Sequence, residues 1–159
     1  MPLVPRPHYL SQIQDHFGIH SVVALLGPRQ CGKTTLARQF EATVDQQIHF
    51  FDLENITDWQ TLQTAQTTLS SLAGLIIIDE IQRLPGLFPL IRHLVDLPEN
   101  RQRYLILGSA SQHLIRQSSE SLAGRIGYVD VSPLTCVEVN DLTKLHHRGG
   151  FPKAYLARV

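Results

Sequence analysis

The strongest constraint on this sequence comes from residues 27–34, which read GPRQCGKT. The segment fits the pattern G-x-x-x-x-G-K-[ST] at every fixed position, and this pattern is typical of a loop that holds phosphate groups. Glycine at 27 and 32 lets successive backbone N–H groups converge on an anion, which a Cβ atom would obstruct. Lys33 adds a compact positive charge, and the Thr34 hydroxyl suits Mg²⁺. We therefore predict a phosphate-binding loop at this position.

The flanks of this loop support the prediction. Residues 21–26 (SVVALL) form an apolar run that is long enough for a buried parallel strand. Leu36 and Phe40 follow at i, i+4 spacing, as expected for a helix that packs on a sheet. Strand, loop and helix thus occur in the order that the motif requires. The residues that we expect to contact a bound nucleotide are Gly27, Pro28, Arg29, Gln30, Cys31, Gly32, Lys33, Thr34 and Thr35.

An acidic pair follows a second apolar run. After Gly74, residues 75–78 (LIII) are apolar without alternation, and Asp79 and Glu80 come next. A buried strand that ends in two acids is the Walker B arrangement, in which the aspartate reaches the magnesium shell and the glutamate polarises the attacking water. We therefore predict that Thr34 and Asp79 hold the metal and that Glu80 is the catalytic base.

Composition limits the class of protein. A chain of 159 residues with 43% hydrophobic and 18% charged residues is typical of one globular domain. Lys+Arg and Asp+Glu number 14 each, so no overall basic bias points to nucleic acid as a partner. The two cysteines form no metal-binding or disulfide pattern. We see no signal peptide and no apolar run of membrane length, so we expect a cytoplasmic protein without a membrane partner.

The chain divides into three regions. We expect a lead-in with a helix (residues 1–20), a nucleotide-binding core (21–145) and the start of a truncated lid or C-terminal region (146–159). Apolar residues at helical spacing over residues 8–17 predict a helix that covers one edge of the sheet. Arg6 beside it has either a structural role or a role near the nucleotide.

Several other segments carry local predictions. Residues 56–73 predict a single helix whose buried face carries Trp59, Leu62, Ala65, Leu69 and Leu72. Thr135 and Glu138 form a capping box for a final helix. Asp52 and Glu54 follow the apolar run 48–51, and they either approach the γ-phosphate or belong to a solvated turn and a helix cap.

Ser109 and Arg125 are two further candidate site residues. Ser109 follows the apolar run 104–107, so its hydroxyl either senses the γ-phosphate or, like that of Ser111, caps the next helix. Arg125 lies between two glycines just before a last strand, residues 126–131. Arginine stabilises charge on a transferring phosphoryl group, within its own subunit or from a neighbour. The alternative is an arginine that only faces solvent.

Missing motifs narrow the enzyme class. Asp79 does not begin a D-x-x-G motif of GTPases, because Glu80, Ile81 and Gln82 follow it, and the chain has neither an N-K-x-D motif nor the signature of transporter ATPases. The Asp79–Glu80 pair and the extra strand between it and the phosphate loop favour ATP hydrolases of the additional-strand type. The predicted fold is an α/β P-loop NTPase in three α/β/α layers, with a five-stranded parallel sheet in the order 5-1-4-3-2.

Six segments in register also carry a family resemblance: GPRQCGKTTLA, FFDLEN, LIIIDEIQRLPGLFPLIRHLVD, LILGSAS, ESLAGRIGYVDVSPL and RGGFPKAYL. Together they resemble the AAA-type ATPases whose members carry a DUF4143 domain after the ATPase core. The resemblance implies binding of ATP and Mg²⁺ by Gly32, Lys33 and Thr34, a sensor at Ser109, and an arginine finger or phosphate sensor at Arg125. Members of this family are typically more than twice as long, so we expect only the N-terminal core here.

Two functions from different classes remain open. The first is a Mg²⁺-dependent ATPase core, and the second is a nucleotide-binding switch that acts through a homo-oligomer, a C-terminal domain or an unknown protein partner and hydrolyses ATP slowly alone. A small-molecule kinase would need an acceptor site, and the sequence shows none. Cys31 lies near a helix N-terminus that would lower its pKa, which suggests redox sensitivity; the alternative is a small residue that simply fits.

Overall fold

Five parallel strands form the centre of the domain in the computed structural model, which describes residues 3–109, 115–117 and 119–157. The strands are β1 (Val22–Leu26), β2 (Ile48–Asp52), β3 (Gly74–Asp79), β4 (Gln102–Gly108) and β5 (Ile126–Asp130). Their order is β2-β3-β4-β1-β5, and every pairing is parallel. This is the predicted order read from the opposite edge. The α/β class and the parallel sheet are confirmed.

The helices lie on both faces of the sheet. The main helices are α1 (Pro7–Phe17), α2 (Lys33–Glu41), α3 (Ile56–Thr61), α4 (Ala65–Ser70), α5 (Leu87–Val95), α6 (Leu142–Arg148) and α7 (Pro152–Tyr155). Short 3₁₀ turns occupy Leu62–Thr64, Ile81–Arg83 and Glu120–Leu122. Within the described part of the chain, no helix is long and apolar enough to cross a membrane.

Alternate residues of the buried strands supply the two halves of the core. Val22, Ala24 and Leu26 of β1 pack with the cluster that contains the apolar residues of α4 and α5. Val23 and Leu25 face the opposite side, where the buried residues come from α1 and α2. Because both faces of the sheet are covered, the strands need apolar side chains on both sides, which explains their unalternating sequence.

The segment 56–73 differs from its prediction as one continuous helix. Helix α3 ends at Thr61, a 3₁₀ turn follows, and α4 begins at Ala65. At this break the hydroxyls of Thr64 and Thr68 both donate to the carbonyl oxygen of Thr61, at 3.3 Å each. Side chains that bond to nearby backbone in this way compete with helical hydrogen bonding. Trp59, expected on the buried face, is 38% exposed.

Further helices lie before β1 and after β5 in the chain. Helix α1 lies over β5 and β1 beside α2, which agrees with the expectation that this helix covers one edge of the sheet. The predicted capping box at Thr135 and Glu138 is present, with the Thr135 amide donating to Glu138 Oε2 at 2.8 Å, but it closes a turn. The helix itself begins later, at Leu142, where Asp141 accepts from the Lys144 amide.

A glycine at the start of β3 gives a direct test of this packing. Gly74 has φ +90, and a Cβ atom there would overlap the carbonyl oxygen of Gln47. We expect Gly74→Ala to lower the free energy of unfolding by about 2–5 kcal/mol, because it adds both backbone strain and a clash with rigid backbone. The measurement is urea unfolding followed by circular dichroism.

The control for this experiment is Gly86→Ala. Gly86 has φ −61, and no atom of another described residue lies within 4 Å of the position where its Cβ would be. We expect this substitution to change the free energy of unfolding by less than about 1 kcal/mol. Equal stability of the two variants would contradict the close approach of Gln47 to β3.

Candidate functional site

The candidate site lies at the carboxyl ends of the strands, where the phosphate loop (residues 27–34) joins β1 to α2. Gly27 is fixed by packing, because a Cβ atom there would overlap the carbonyl oxygen of Val131. Gly32 adopts φ +100, a left-handed conformation that an L side chain rarely takes. Both glycines of the motif are therefore required by the backbone, as the sequence predicts.

Lys33 points back into this loop. It is only 5% exposed, and its Nζ donates to the carbonyl oxygens of Gly27 and Pro28, each at 2.9 Å. These two carbonyl groups hold the ammonium group at the centre of the loop. A phosphate that enters the loop would offer anionic oxygens in place of neutral carbonyl oxygens, and hydrogen bonds between charged partners are the stronger ones.

Thr34 and Asp79 meet across the mouth of the site. Thr34 Oγ1 donates to Asp79 Oδ2 at 2.6 Å, although the residues lie on different elements, α2 and β3. The other carboxylate oxygen, Asp79 Oδ1, accepts from the Glu80 amide at 2.9 Å. Burial raises the pKa of Asp79, because desolvation disfavours the charged form, while the hydrogen bond from Thr34 opposes this effect.

The same two residues could hold a metal ion. A hydroxyl and a carboxylate in contact are the hard oxygen donors that Mg²⁺ prefers, and Mg²⁺ commonly takes one or two protein ligands and fills its other positions with water and phosphate oxygens. Among the described residues, no group of three or more His, Cys, Asp or Glu side chains forms a metal cage. The donors present therefore fit a magnesium ion that is shared with a phosphate ligand.

Glu80 is held in place beside Asp79. Its φ of +56 is left-handed, an uncommon conformation for a residue with a side chain. Ser109 Oγ donates to Glu80 Oε2 at 2.5 Å, so the predicted base and the predicted sensor are in direct contact. Gln82 also donates to Glu80 Oε2, and to Ser109 Oγ at 3.3 Å. The sequence analysis did not identify Gln82 as a site residue. The one indication in the sequence is that Gln82 lies two residues after Glu80.

Arg125 lies away from the other predicted site residues of its own chain. Its backbone oxygen accepts from the Val22 amide, at the start of β1, whereas the phosphate loop follows the end of that strand. With about 3.3 Å per residue, the length of β1 puts roughly 15 Å between them. Arg125 Nε donates to Asp96 Oδ1 at 2.6 Å, and this hydrogen bond lowers the pKa of Asp96.

Asp52 and Glu54 are placed in a turn at the rim of the site. Asp52 Oδ1 accepts from the Glu54 amide at 2.9 Å, and Asn55, the next residue, caps α3 by accepting from the Thr57 amide. Glu54 lines the cavity, and its Oε1 is 3.8 Å from Arg29 Nη2, with both side chains exposed. The expected turn is therefore present, but the residue that caps α3 is Asn55 and not Asp52 or Glu54. Ser111, the other predicted cap, lies outside the described residues.

A cavity of about 640 Å³ opens beside the phosphate loop. Its lining includes polar side chains, among them Lys33, Thr34 and Glu80. It also includes a set of apolar residues: Leu3, Val4, Leu134, Pro152 and Leu156. Of the nine predicted contact residues, those from Arg29 to Thr35 line the cavity, whereas Gly27 and Pro28 are not part of the lining.

Arg6 fastens the N-terminal segment to the loop. It is 3% exposed, and its guanidinium donates to Glu138 Oε1 at 2.5 Å, to the Cys31 carbonyl at 3.2 Å and to the Ser132 carbonyl at 2.8 Å. Burial alone would raise the pKa of Glu138, but hydrogen bonds from Arg6 and Thr135 bring it below its usual value. These contacts support the structural role of Arg6, with Glu138 as its partner, and Arg6 also lines the cavity beside the phosphate loop.

Cys31 differs from one expectation. It is fully buried, and burial raises its pKa although the positive charges of Lys33 and Arg6 act in the opposite direction. The prediction of a lowered pKa, made from the nearby helix N-terminus, is wrong because it neglected desolvation. A buried thiol with a raised pKa is unreactive, so Cys31 is a small residue that fits the loop.

Comparisons with known proteins agree with this arrangement. The chain matches the family model described as an AAA domain over residues 20–140. Uncharacterised proteins of Mycobacterium tuberculosis and Mycobacterium bovis are each 48% identical to it over 139 residues, which cover 86% of this chain and 31% of each relative. The chain thus spans about a third of the length of these relatives.

Solved structures share the fold at low identity. The Walker-type ATPase PABY2304 of Pyrococcus abyssi gives a TM-score of 0.68 at 18% identity, covering 94% of this chain and 65% of that one. A RuvB variant of Thermotoga maritima gives a TM-score of 0.57 at 21% identity, and the match covers 85% of this chain and 48% of that one. The P-loop NTPase domain of a sigma-54 transport activator from E. coli gives a TM-score of 0.53 at 16% identity, and the match covers 83% of this chain and 100% of that one.

The similarity to these solved structures shows that the chain has the P-loop NTPase fold. The match to the family model shows the family to which it belongs. Its match contains β1, the phosphate loop, β3 with its acidic pair, and β5. The chain belongs to the AAA family of P-loop ATPase domains.

Proposed function

We propose that this domain is the core of a Mg²⁺-dependent ATP hydrolase. The observation that carries the proposal is the 2.6 Å hydrogen bond between Thr34 and Asp79, with Glu80 immediately beside it. A phosphate loop alone would support binding only. A loop hydroxyl in contact with a buried carboxylate, next to a second carboxylate, also supports a site for a metal and for activation of water.

The cavity is suited to a whole nucleoside triphosphate. Lys33 and the loop amides would hold the β- and γ-phosphates, and the apolar residues in the lining of the cavity would contact the base. Thr34 and Asp79 would hold the magnesium ion, which neutralises charge on the phosphates when it is bound. The identity of the base as adenine rests on the family to which the chain belongs.

Glu80 and Ser109 would act on the far side of the γ-phosphate. In the mechanism that we propose, Glu80 accepts a proton from the attacking water, and Ser109 donates a hydrogen bond to a γ-phosphate oxygen. In the structure these side chains bond to each other, so Ser109 must turn away from Glu80 for this chemistry. The remaining positive charge would come from Arg125 of a neighbouring copy, since the residue is remote from its own site.

A nucleotide-dependent switch is the second candidate. Glu80 is engaged by Ser109 and Gln82, and Arg125 is engaged by Asp96, so the site in this conformation favours binding over turnover. An arginine supplied by another subunit is worth about 10³–10⁵ in rate. The output would then pass to a protein partner or to a further domain, for which a DUF4143 domain is our proposal.

Replacement of the base separates binding from turnover. We expect Glu80→Gln to retain ATP affinity and to lose turnover by about 10²–10⁴-fold, because the amide cannot accept the proton from water. Phosphate release and ATP affinity are measured on the same preparation. Glu99→Gln, on an exposed residue, is the matched control. Wild-type turnover by Glu80→Gln would contradict the role of Glu80.

Asp79 gives a pH-dependent prediction. Because burial raises its pKa in the folded state, the folded protein binds the proton more tightly, and stability decreases as pH rises above the usual carboxyl range. Without nucleotide and Mg²⁺, Asp79→Asn should therefore melt at a higher temperature than the wild type at about pH 7, with a difference that shrinks towards about pH 4. Thermal unfolding across this range is the measurement, and a variant that melts lower at every pH would contradict it.

A mixing experiment tests Arg125 as a residue that acts between subunits. We expect Arg125→Ala to lower turnover by about 10³-fold or more, with ATP affinity retained. Glu80→Gln should be inactive because it lacks the base. A mixture of the two inactive variants should recover activity, because an Arg125→Ala site then receives an intact arginine from a Glu80→Gln neighbour.

The control is Arg92→Ala. Arg92 also lies beside Asp96, with its Nε 3.9 Å from Asp96 Oδ2, so its loss removes a positive charge from the same surface. We expect that variant to keep wild-type turnover. A mixture that stays inactive at high protein concentration would contradict the role of Arg125 between subunits.

A further inference from the structure

The side chains of Glu80, Gln82 and Ser109 form a closed cluster at the ends of β3 and β4. Ser109 Oγ donates to Glu80 Oε2 at 2.5 Å, and Gln82 Nε2 donates both to that same oxygen and to Ser109 Oγ at 3.3 Å. The cluster adjoins the cavity through Glu80, which is one of the lining residues. Gln82 is thus the one member to which neither the sequence motifs nor the proposed mechanism gives a task.

Gln82 is held firmly enough to orient its neighbours. It lies in the 3₁₀ turn Ile81–Arg83, directly after the left-handed Glu80, and Ile81 of this turn is fully buried in the core. The backbone of the turn is closed by bonds from the Arg83 amide to the Glu80 carbonyl and from the Leu84 amide to the Ile81 carbonyl, each at 3.0 Å. The backbone of Gln82 is therefore fixed by the turn, and its side-chain amide lies beside Glu80, to which it donates a hydrogen bond.

The Gln82 amide also has unused hydrogen-bonding capacity. Its Oε1 is buried and has no partner among the described residues, and it lies 3.4 Å from where a Cβ of Gly108 would be. Buried acceptors are rarely left without a partner, because desolvation is then uncompensated. A side-chain amide has two donor protons and one acceptor oxygen, so Gln82 can serve both Glu80 and Ser109 in more than one arrangement.

The Ser109 hydroxyl, in contrast, has a single proton to give. In the structure that proton goes to Glu80. If Ser109 turns to a γ-phosphate oxygen, it leaves Glu80 without this donor, close to an anion that repels the carboxylate. A second donor on Glu80 is then needed to keep the carboxylate oriented, and Gln82 is already bonded to the same oxygen.

We propose that Gln82 is a positioning residue that couples the γ-phosphate sensor Ser109 to the base Glu80. When the Ser109 hydroxyl donates to the γ-phosphate, the Gln82 amide continues to hold Glu80 in place. Without Gln82, the phosphate and Glu80 compete for the one proton of Ser109. This proposal rests on the proposed binding of ATP, and it adds a residue that distinguishes ATP from ADP.

The test compares Gln82→Met, Ser109→Ala and the double variant in the whole chain. Methionine keeps the length of the side chain and removes its hydrogen bonds. For Gln82→Met we expect ADP affinity within about twofold of wild type and a preference for a non-hydrolysable ATP analogue over ADP that falls about 3- to 10-fold, as for the loss of one hydrogen bond. Affinities are measured by titration calorimetry with Mg²⁺ present.

Turnover supplies the second measurement. The kcat of Gln82→Met should fall about 10- to 100-fold, as is typical when a residue that orients a reacting group is removed. In the Ser109→Ala background the further change Gln82→Met should have little effect on the preference for the ATP analogue, since no hydroxyl proton remains to be shared. Gln60→Met, on an exposed side chain of α3, is the matched control, and melting temperatures check that each variant is folded.

Two results would overturn the role of Gln82. The first is an unchanged preference for the ATP analogue over ADP, whether or not both affinities fall together, and the second is independent, additive effects of the two substitutions. If the wild type binds both nucleotides but releases no phosphate, hydrolysis is contradicted, and the affinity ratios still decide the role of Gln82. If the wild type binds neither nucleotide, the proposed function fails and this proposal fails with it.

Discussion

Strand β1 lies between β4 and β5 with all five of its side chains buried, and its backbone pairs with a parallel neighbour on each edge. This central position fixes the phosphate loop, because the loop begins where β1 ends. Gly27 lies so close to the carbonyl oxygen of Val131, the residue after β5, that a side chain at position 27 would overlap it. The carboxyl ends of β3 and β4 are brought to the same edge of the sheet by parallel pairing. The contact between Thr34 and Asp79 is therefore a consequence of strand order.

The features that could be predicted from sequence are those set by short-range pattern and by topology. Apolar runs without alternation indicated β1, β3 and β4. The order of the strands could be predicted because the phosphate loop and the acidic pair indicated a P-loop NTPase of the additional-strand type. Asp79, Glu80 and Ser109 each end or follow a strand at the same edge of the sheet, and Thr34 lies in the first turn of α2, directly after the phosphate loop that follows β1. These four side chains come together as expected for this reason.

The features that could not be predicted depend on contacts between distant residues or on desolvation. The helix expected over residues 56–73 breaks where threonine hydroxyls bond to the backbone, and a periodic pattern of apolar residues contains no information on that competition. The burial that raises the pKa of Cys31 arises from tertiary packing. Glu138 forms the expected box with Thr135 but also binds Arg6, which is 132 residues away in the chain.

In the proposed mechanism, nucleotide binding changes one set of interactions in the site and leaves another intact. Lys33 would exchange the carbonyl oxygens of Gly27 and Pro28 for phosphate oxygens, and Ser109 would leave Glu80. The bonds of Arg6 to Glu138 and to the Cys31 carbonyl are buried, and loss of one partner from such a pair costs about 3–5 kcal/mol. These bonds therefore hold the outer side of the loop fixed while its inner side rearranges. Because Arg6 also binds the Ser132 carbonyl, the fixed part includes the segment that leads from β5 to α6.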